Sequence, residues 1–122
     1  MKEELVEKRL KRRKETGEDF TPSELVNKML DEIDPTIWKD PTKTWLDPAA
    51  GNGNFLIEVK KRLLDYGHSE KHILENMIYG VELMEDNVEE MKKRLNANEF
   101  NHNIVCEDFF IWYEKQQSNS LW

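Results

Sequence analysis

The chain has 122 residues, enough for one small domain but not for a large core. With 35% charged and 38% hydrophobic residues, it fits a globular protein with a heavily charged surface. A net charge of -7 speaks against a stand-alone DNA binder, whose affinity rests on phosphate contacts, and a single cysteine excludes an internal disulfide framework. That cysteine, Cys106, sits in an apolar stretch and reads as a buried, reduced thiol. No apolar run reaches membrane-spanning length and the start is charged rather than signal-like. The expectation is a cytoplasmic protein with no membrane contact.

Residues 1–15 read as a charged N-terminal helix anchored only by Leu5, Val6 and Leu10. Glutamates precede the basic run Lys8 to Lys14, the order a helix dipole favours. The run is either a contact for nucleic-acid phosphates or a solvated helix face. Gly17-Glu18-Asp19-Phe20-Thr21-Pro22 then breaks the chain before a second helix. Thr21 is placed to cap it, Pro22 fits the first helical position and Glu24 completes a capping box. Leu25, Val26, Met29, Leu30 and Ile33 form one apolar stripe. The segment before this helix is either a plain start or a loop that closes over a ligand. Residues 34–43, with Pro35 and Pro41, read as a connecting loop, and Trp38 is expected at the core edge.

Thr44-Trp45-Leu46 predicts the first strand, over 44–48, and it runs into Asp47-Pro48-Ala49-Ala50-Gly51-Asn52-Gly53-Asn54-Phe55. A helix over roughly 54–66 follows, patterned by Leu56, Val59 and Leu63 and closed by Gly67. Strand, glycine turn and helix in that order make a pocket for a small charged ligand. Gly51 and Gly53 permit a tight turn and a close backbone approach. The free N–H groups of the helix start face that pocket. Asp47 suits an ammonium or hydroxyl and repels a pyrophosphate. A βα turn with no ligand also fits the nonapeptide. A dinucleotide oxidoreductase fits less well, because Leu56 stands where its third glycine belongs.

Ser69 starts a short helix to about Asn76, and His72 has no partner at metal-ligand spacing. Met77 to Leu83 is the second strand. Its acid, Glu82, lies where the carboxyl ends of parallel strands meet and is suited to two ribose hydroxyls. Leu83 and Met84 fit either an adenine face or the core. Asp86 opens a helix striped by Met84, Val88, Met91 and Leu95, closed by Asn96-Ala97-Asn98. Ile104-Val105-Cys106 is the third strand. After it, Asp108 is placed to accept from an exocyclic amine and Phe109 to stack on a purine. Ile111-Trp112-Tyr113 extends the apolar surface, and a polar tail follows. The order gives three parallel strands with right-handed crossovers.

Asp-Pro-Ala-Ala-Gly-Asn-Gly-Asn-Phe resembles the cofactor motif of S-adenosylmethionine-dependent DNA adenine-N6 methyltransferases. Gly80-Val81-Glu82 resembles their second cofactor motif. Gly17 to Pro22 is similar to the segment that covers the amino-acid end of the cofactor, except that Asp19 replaces a common aromatic. The pair Asp108-Phe109 is similar in place to residues linked to the cofactor's adenine. The resemblance covers roughly residues 16–112, with its four motifs in order. It implies an α/β chain with a partial Rossmann-like methyltransferase fold: three parallel strands, flanking helices and an N-terminal helical segment. Residues 16–122 would form a truncated S-adenosylmethionine-binding domain. The residues carried over for the cofactor are Phe20, Thr21, Asp47, Ala49, Gly51, Gly53, Phe55, Glu82, Leu83, Asp108 and Phe109.

The family's catalytic Asp/Asn-Pro-Pro-Tyr/Phe lies at the end of a fourth strand beside the first. This sequence has no adjacent prolines and stops about where that strand would begin. No catalytic and no metal-binding residue is therefore assigned. The expected function is the cofactor-binding portion of a restriction-modification-type adenine methyltransferase, inactive alone and reaching DNA only within the complete enzyme. The alternative is a non-enzymatic S-adenosylmethionine binder, a decoy or regulatory subunit. An unprotected first strand implies either a second chain carrying the catalytic half or self-association through that edge.

Overall fold

A computed structural model describes residues 22–118. The fold is α/β: one sheet of three parallel strands, in the order β1-β2-β3, flanked by helices. The strands are β1 (Trp45–Asp47), β2 (Ile78–Glu82) and β3 (Ile104–Cys106). Trp45 pairs with Ile78 and Asp47 with Gly80; Gly80 pairs with Ile104 and Glu82 with Cys106. This is the partial Rossmann-like methyltransferase arrangement expected. The N-terminal segment 1–15 lies outside the described residues.

Helix α1 (Ser23–Asp31) has Pro22 at its N-cap rather than at the first helical position: the Pro22 carbonyl accepts from Val26 N at 3.0 Å. Its stripe is only half used. Val26 and Leu30 are buried against the helix that follows β1, while Leu25 and Met29 stay about half exposed. The expected 34–43 loop contains one helical turn, α2 (Pro35–Lys39). Asp34 accepts from Thr36 N at 2.8 Å and caps it. The turn carries Trp38 into the core instead of its edge, 2% exposed and stacked on Trp45 at 4.1 Å. Two histidines fasten this segment: His68 Nε2 donates to Trp38 O at 2.7 Å and His72 Nε2 to Pro41 O at 2.8 Å.

Helix α3 (Asn54–Asp65) buries Leu56, Val59 and Leu63, its one apolar stripe. It ends in paired bonds, His68 N to Leu63 O and Gly67 N to Leu64 O, the closure expected around Gly67. The following helix is α only over α4 (Glu70–His72). From Ile73 to Met77 it widens into a π turn that buries Ile73, Leu74 and Met77.

Helix α5 (Glu85–Leu95) buries Val88, Met91 and Leu95. Asn96 then takes a left-handed conformation (φ 58°) into a single 3₁₀ turn, Ala97–Glu99. The sheet face that carries Gly80 and Ile104 receives α3 and α5. A Cβ on Gly80 would lie 2.8 Å from Leu56 Cδ1 and 3.1 Å from Ile104 Cδ1, so the bare strand position sets how closely the helix sits.

A last helix, α6 (Phe109–Ser118), occupies what reads in sequence as an apolar extension and a polar tail. Asp108 Oδ1 starts it by accepting from Phe110 N (2.9 Å) and Ile111 N (3.2 Å). α6 packs on β2 and buries Trp112. Cys106 is exposed rather than buried, because it is the final residue of an edge strand. Among the described residues, no helix is long and apolar enough to cross a membrane.

Two outcomes follow from this packing. Gly53, the N-cap of α3, has φ 94°, and a Cβ there would lie 2.8 Å from Met91 Cγ. Gly53→Ala adds left-handed strain to overpacking, and is expected to lower the urea-derived unfolding free energy by about 2 kcal/mol or more. His102 gives the pH dependence. Burial first, and then the charge of Lys92, holds its imidazole below the usual histidine range, while its Nδ1 accepts from Ile104 N at 3.0 Å. The unfolded chain therefore takes up this proton first. The contribution is complete above about pH 6.5 and is lost as pH falls through the folded value. Urea midpoints at several pH values should show this slope in the native chain and its loss in His102→Gln.

Candidate functional site

The site grows from the carboxyl end of β1. Asp47 Oδ1 accepts from Ala49 N at 3.1 Å and turns the chain back at Pro48. The turn is then bonded to the end of β2, not to itself alone. Ala50 N donates to Val81 O at 3.0 Å and Gly51 N to Glu82 Oε1 at 3.1 Å. Gly51 (φ 57°) and Gly53 (φ 94°) take the left-handed backbone that this path needs. Gly53 N closes on Ala50 O at 3.0 Å, and Gly53 O accepts from Ile57 N at 2.8 Å to begin α3.

Glu82 is the one buried charged residue among the described residues, 1% exposed. A carboxylate taken out of water costs several kcal/mol unless donors surround it. Here three N–H groups do so: Gly51 N, Met84 N at 3.1 Å and Asn87 Nδ2 at 3.3 Å. Register and pleat put Asp47, Gly80 and Glu82 on one face: Asp47 pairs with Gly80, and Glu82 lies two residues on. The two acids thus share the carboxyl end and the face of adjacent strands.

The other expected residues fall around this pair. Ala49 is exposed in the turn, Phe55 is half-buried at the start of α3, and Leu83 is half-buried just past Glu82. Asp108 and Phe109 stand at the same end of the sheet, after β3. Asp108 is engaged in capping α6, and the Phe109 ring lies 5.7 Å from Phe110 and 5.9 Å from both Trp112 and Tyr113. Phe20 and Thr21 lie outside the described residues. The structure therefore brings Asp47, Ala49, Gly51, Gly53, Phe55, Glu82 and Leu83 together. It uses Asp108 first for helix capping.

Four residues enter the site that the sequence did not single out. Asn87 donates to Glu82. Met91 fills the space beside Gly53. Arg94 Nη1 donates to Asn52 O at 3.1 Å and to Asn54 Oδ1 at 2.7 Å. The side-chain Oδ1 of Asn52 is buried without a hydrogen-bond partner. Asn87, Met91 and Arg94 lie on α5, far along the chain, and Asn52 O accepts from that helix; no local pattern marks such contacts. Cys106, paired in register with Glu82, is no nucleophile. Although it is exposed, partial desolvation, followed by the charges of Glu85 and Glu82, pushes its thiol up and disfavours the thiolate.

Comparison with known proteins gives the family of the chain. An uncharacterized adenine-specific methylase of Mycoplasma pneumoniae (strain ATCC 29342 / M129 / Subtype 1) is 36% identical over 78 residues, which cover 54% of this chain and 18% of that protein's length. The chain thus corresponds to a small part of that relative. The profile of the N-6 DNA methylases matches residues 3–119, which takes in the glycine turn, both acid-tipped strands and the third strand. The chain belongs to the N-6 DNA methylase family.

Proposed function

We propose that the chain is the S-adenosylmethionine-binding portion of a DNA adenine-N6 methyltransferase, the enzyme class that moves a methyl group to adenine N6. The observation that carries this reading is the bond from Gly51 N to the buried Glu82 carboxylate, which joins the glycine turn to the end of the next parallel strand. The residues present fit such a cofactor. Two carboxylates on one sheet face suit its ammonium, its sulfonium and its ribose hydroxyls, and disfavour a pyrophosphate. Bare backbone at Gly51 admits close approach, and half-buried Phe55, Leu83 and Phe109 offer apolar surface for a purine.

In this reading Glu82 orients the ribose and Asp47 faces the cationic end, to which the resemblance also assigns Phe20 and Thr21. Asp108 and Phe109 border the adenine. When bound, the cofactor supplies an electrophilic methyl group. The residues named here hold and orient it, and none of them acts on the target base. We assign the base-holding groups to a further polypeptide segment that adds a strand at the β1 edge. All three β1 residues are half-exposed, and among the described residues β1 ends the sheet. DNA is reached only through the assembled enzyme, which we place in the cytoplasm as part of a restriction-modification system.

Calorimetric titration of the purified chain should show binding of S-adenosylmethionine and none of NAD. Asp47→Asn and Glu82→Gln should each weaken that binding by about 1.5–3 kcal/mol, roughly ten- to a hundredfold. Asp47→Asn keeps the turn's backbone bonds to β2, so it separates binding from folding. Unchanged affinity in both variants would remove the assignment. Light scattering should report self-association of the chain alone, reduced by Leu46→Lys on the open edge. A stable monomer whose behaviour Leu46→Lys does not alter counts against the edge proposal.

A further inference from the structure

The glycine turn is fastened on two sides. The sheet side is the pair of bonds to Val81 O and Glu82 Oε1. The outer side belongs to α5. Arg94, in its last turn, places one nitrogen, Nη1, 3.1 Å from Asn52 O and 2.7 Å from Asn54 Oδ1. These two acceptors bracket Gly53. Met91, three residues earlier and so on the same helix face, occupies the space a Gly53 Cβ would take. One face of α5 thus supplies both a packing stop and a charged clasp to the residue at which the turn becomes a helix.

The turn needs such a clasp. Gly51 and Gly53 are the residue type with the widest choice of backbone conformation, and both are held at positive φ. Asn52 between them leaves its Oδ1 buried and unpartnered, a local cost that its own contacts do not offset. A hydrogen bond from a guanidinium is stronger than one from a neutral donor.

We propose that Arg94 is a positioning residue for the nucleoside cofactor: it locks the Asn52–Asn54 turn in its binding shape without touching the ligand. This rests on the S-adenosylmethionine reading above. If the turn is released, only a fraction of molecules present the competent shape, and apparent affinity falls by that fraction. Lysine carries the charge on a shorter, more flexible stem, so it reaches the two acceptors less reliably and restores the function only in part.

The test uses the whole chain with Arg94→Ala, Arg94→Lys and the control Lys93→Ala, which removes a neighbouring charge from the same helix end. Three quantities are read: amide hydrogen exchange at Gly51 and Gly53 in ligand-free protein, the calorimetric Kd for S-adenosylmethionine, and the urea midpoint. Arg94→Ala should raise exchange at both glycines and raise Kd by about tenfold. Arg94→Lys should fall between it and the native chain. Lys93→Ala should match the native chain, and Arg94→Ala should lower the urea midpoint only modestly, with the transition still cooperative. Native exchange and native Kd in Arg94→Ala overturn the proposal. So does a Kd loss that Lys93→Ala reproduces, or one without raised exchange at Gly51 and Gly53. If the native chain binds no S-adenosylmethionine, the cofactor reading fails, and the exchange data alone decide whether Arg94 holds the turn.

Discussion

The candidate site depends on one buried carboxylate. Glu82 accepts from the glycine turn, from the residue two beyond it and from a side chain on α5. Three separate pieces of chain take their relative positions from that group. Burial makes the arrangement demanding, because an acid without donors in that place costs several kcal/mol. It also makes it specific. An amide would turn an N–H toward another N–H on one side. A shorter acid would not span the distance to both neighbours.

Core and site are built from the same residues. Met91 lies beside Gly53 in the turn, and its Sδ would be 3.3 Å from a Cβ on Gly80 in the central strand. It is a wedge between the turn and the sheet. Leu56, the first buried residue of α3, packs over the same glycine. Arg94 and Met91 then hold from α5 what Glu82 holds from β2. Distortion of the core at Met91 or Leu56 is therefore transmitted to the turn through direct contact, with no longer pathway needed. Lys60 adds a further tie, donating from α3 to Glu70 Oε2 and to Leu95 O at the end of α5, both at 2.7 Å.

Much of this was legible in the sequence, for identifiable reasons. Strand, turn and helix around Asp47–Asn54 are each written locally: a short apolar run, glycines where the backbone must reverse, then a stripe of Leu56, Val59 and Leu63. The parallel order followed from the spacing of helices between strands. What could not be read was either long-range or aperiodic. Nothing near Arg94 in sequence indicates that its acceptors are Asn52 and Asn54. Helix α6 was hidden because Phe109 to Tyr113 is apolar on every side, so a period of 3.6 residues has no contrast to show. The turn at Pro35–Lys39 was masked by its prolines, although Asp34 was a capping signal. Cys106 was misjudged because an apolar neighbourhood in sequence does not say that a strand lies at an edge.

The exposed apolar residues bear on the proposed pairing at the β1 edge. A single exposed leucine is unremarkable, but Leu25 and Met29 lie one helical turn apart on α1, and Phe110, Ile111 and Tyr113 crowd the first turns of α6. The stripe on α1 is wider than α3 alone can cover. β1, half-exposed along its whole length, is both the edge of the sheet and the strand that feeds the glycine turn. In the proposed reading, a strand added at that edge sets its carboxyl end beside Asp47, one strand spacing of roughly 4.8 Å away. Pairing at the edge and assembly of the methyl-transfer site then become one event. On that proposal, the chain that holds the cofactor also determines, through β1, where the chemistry of a partner must stand.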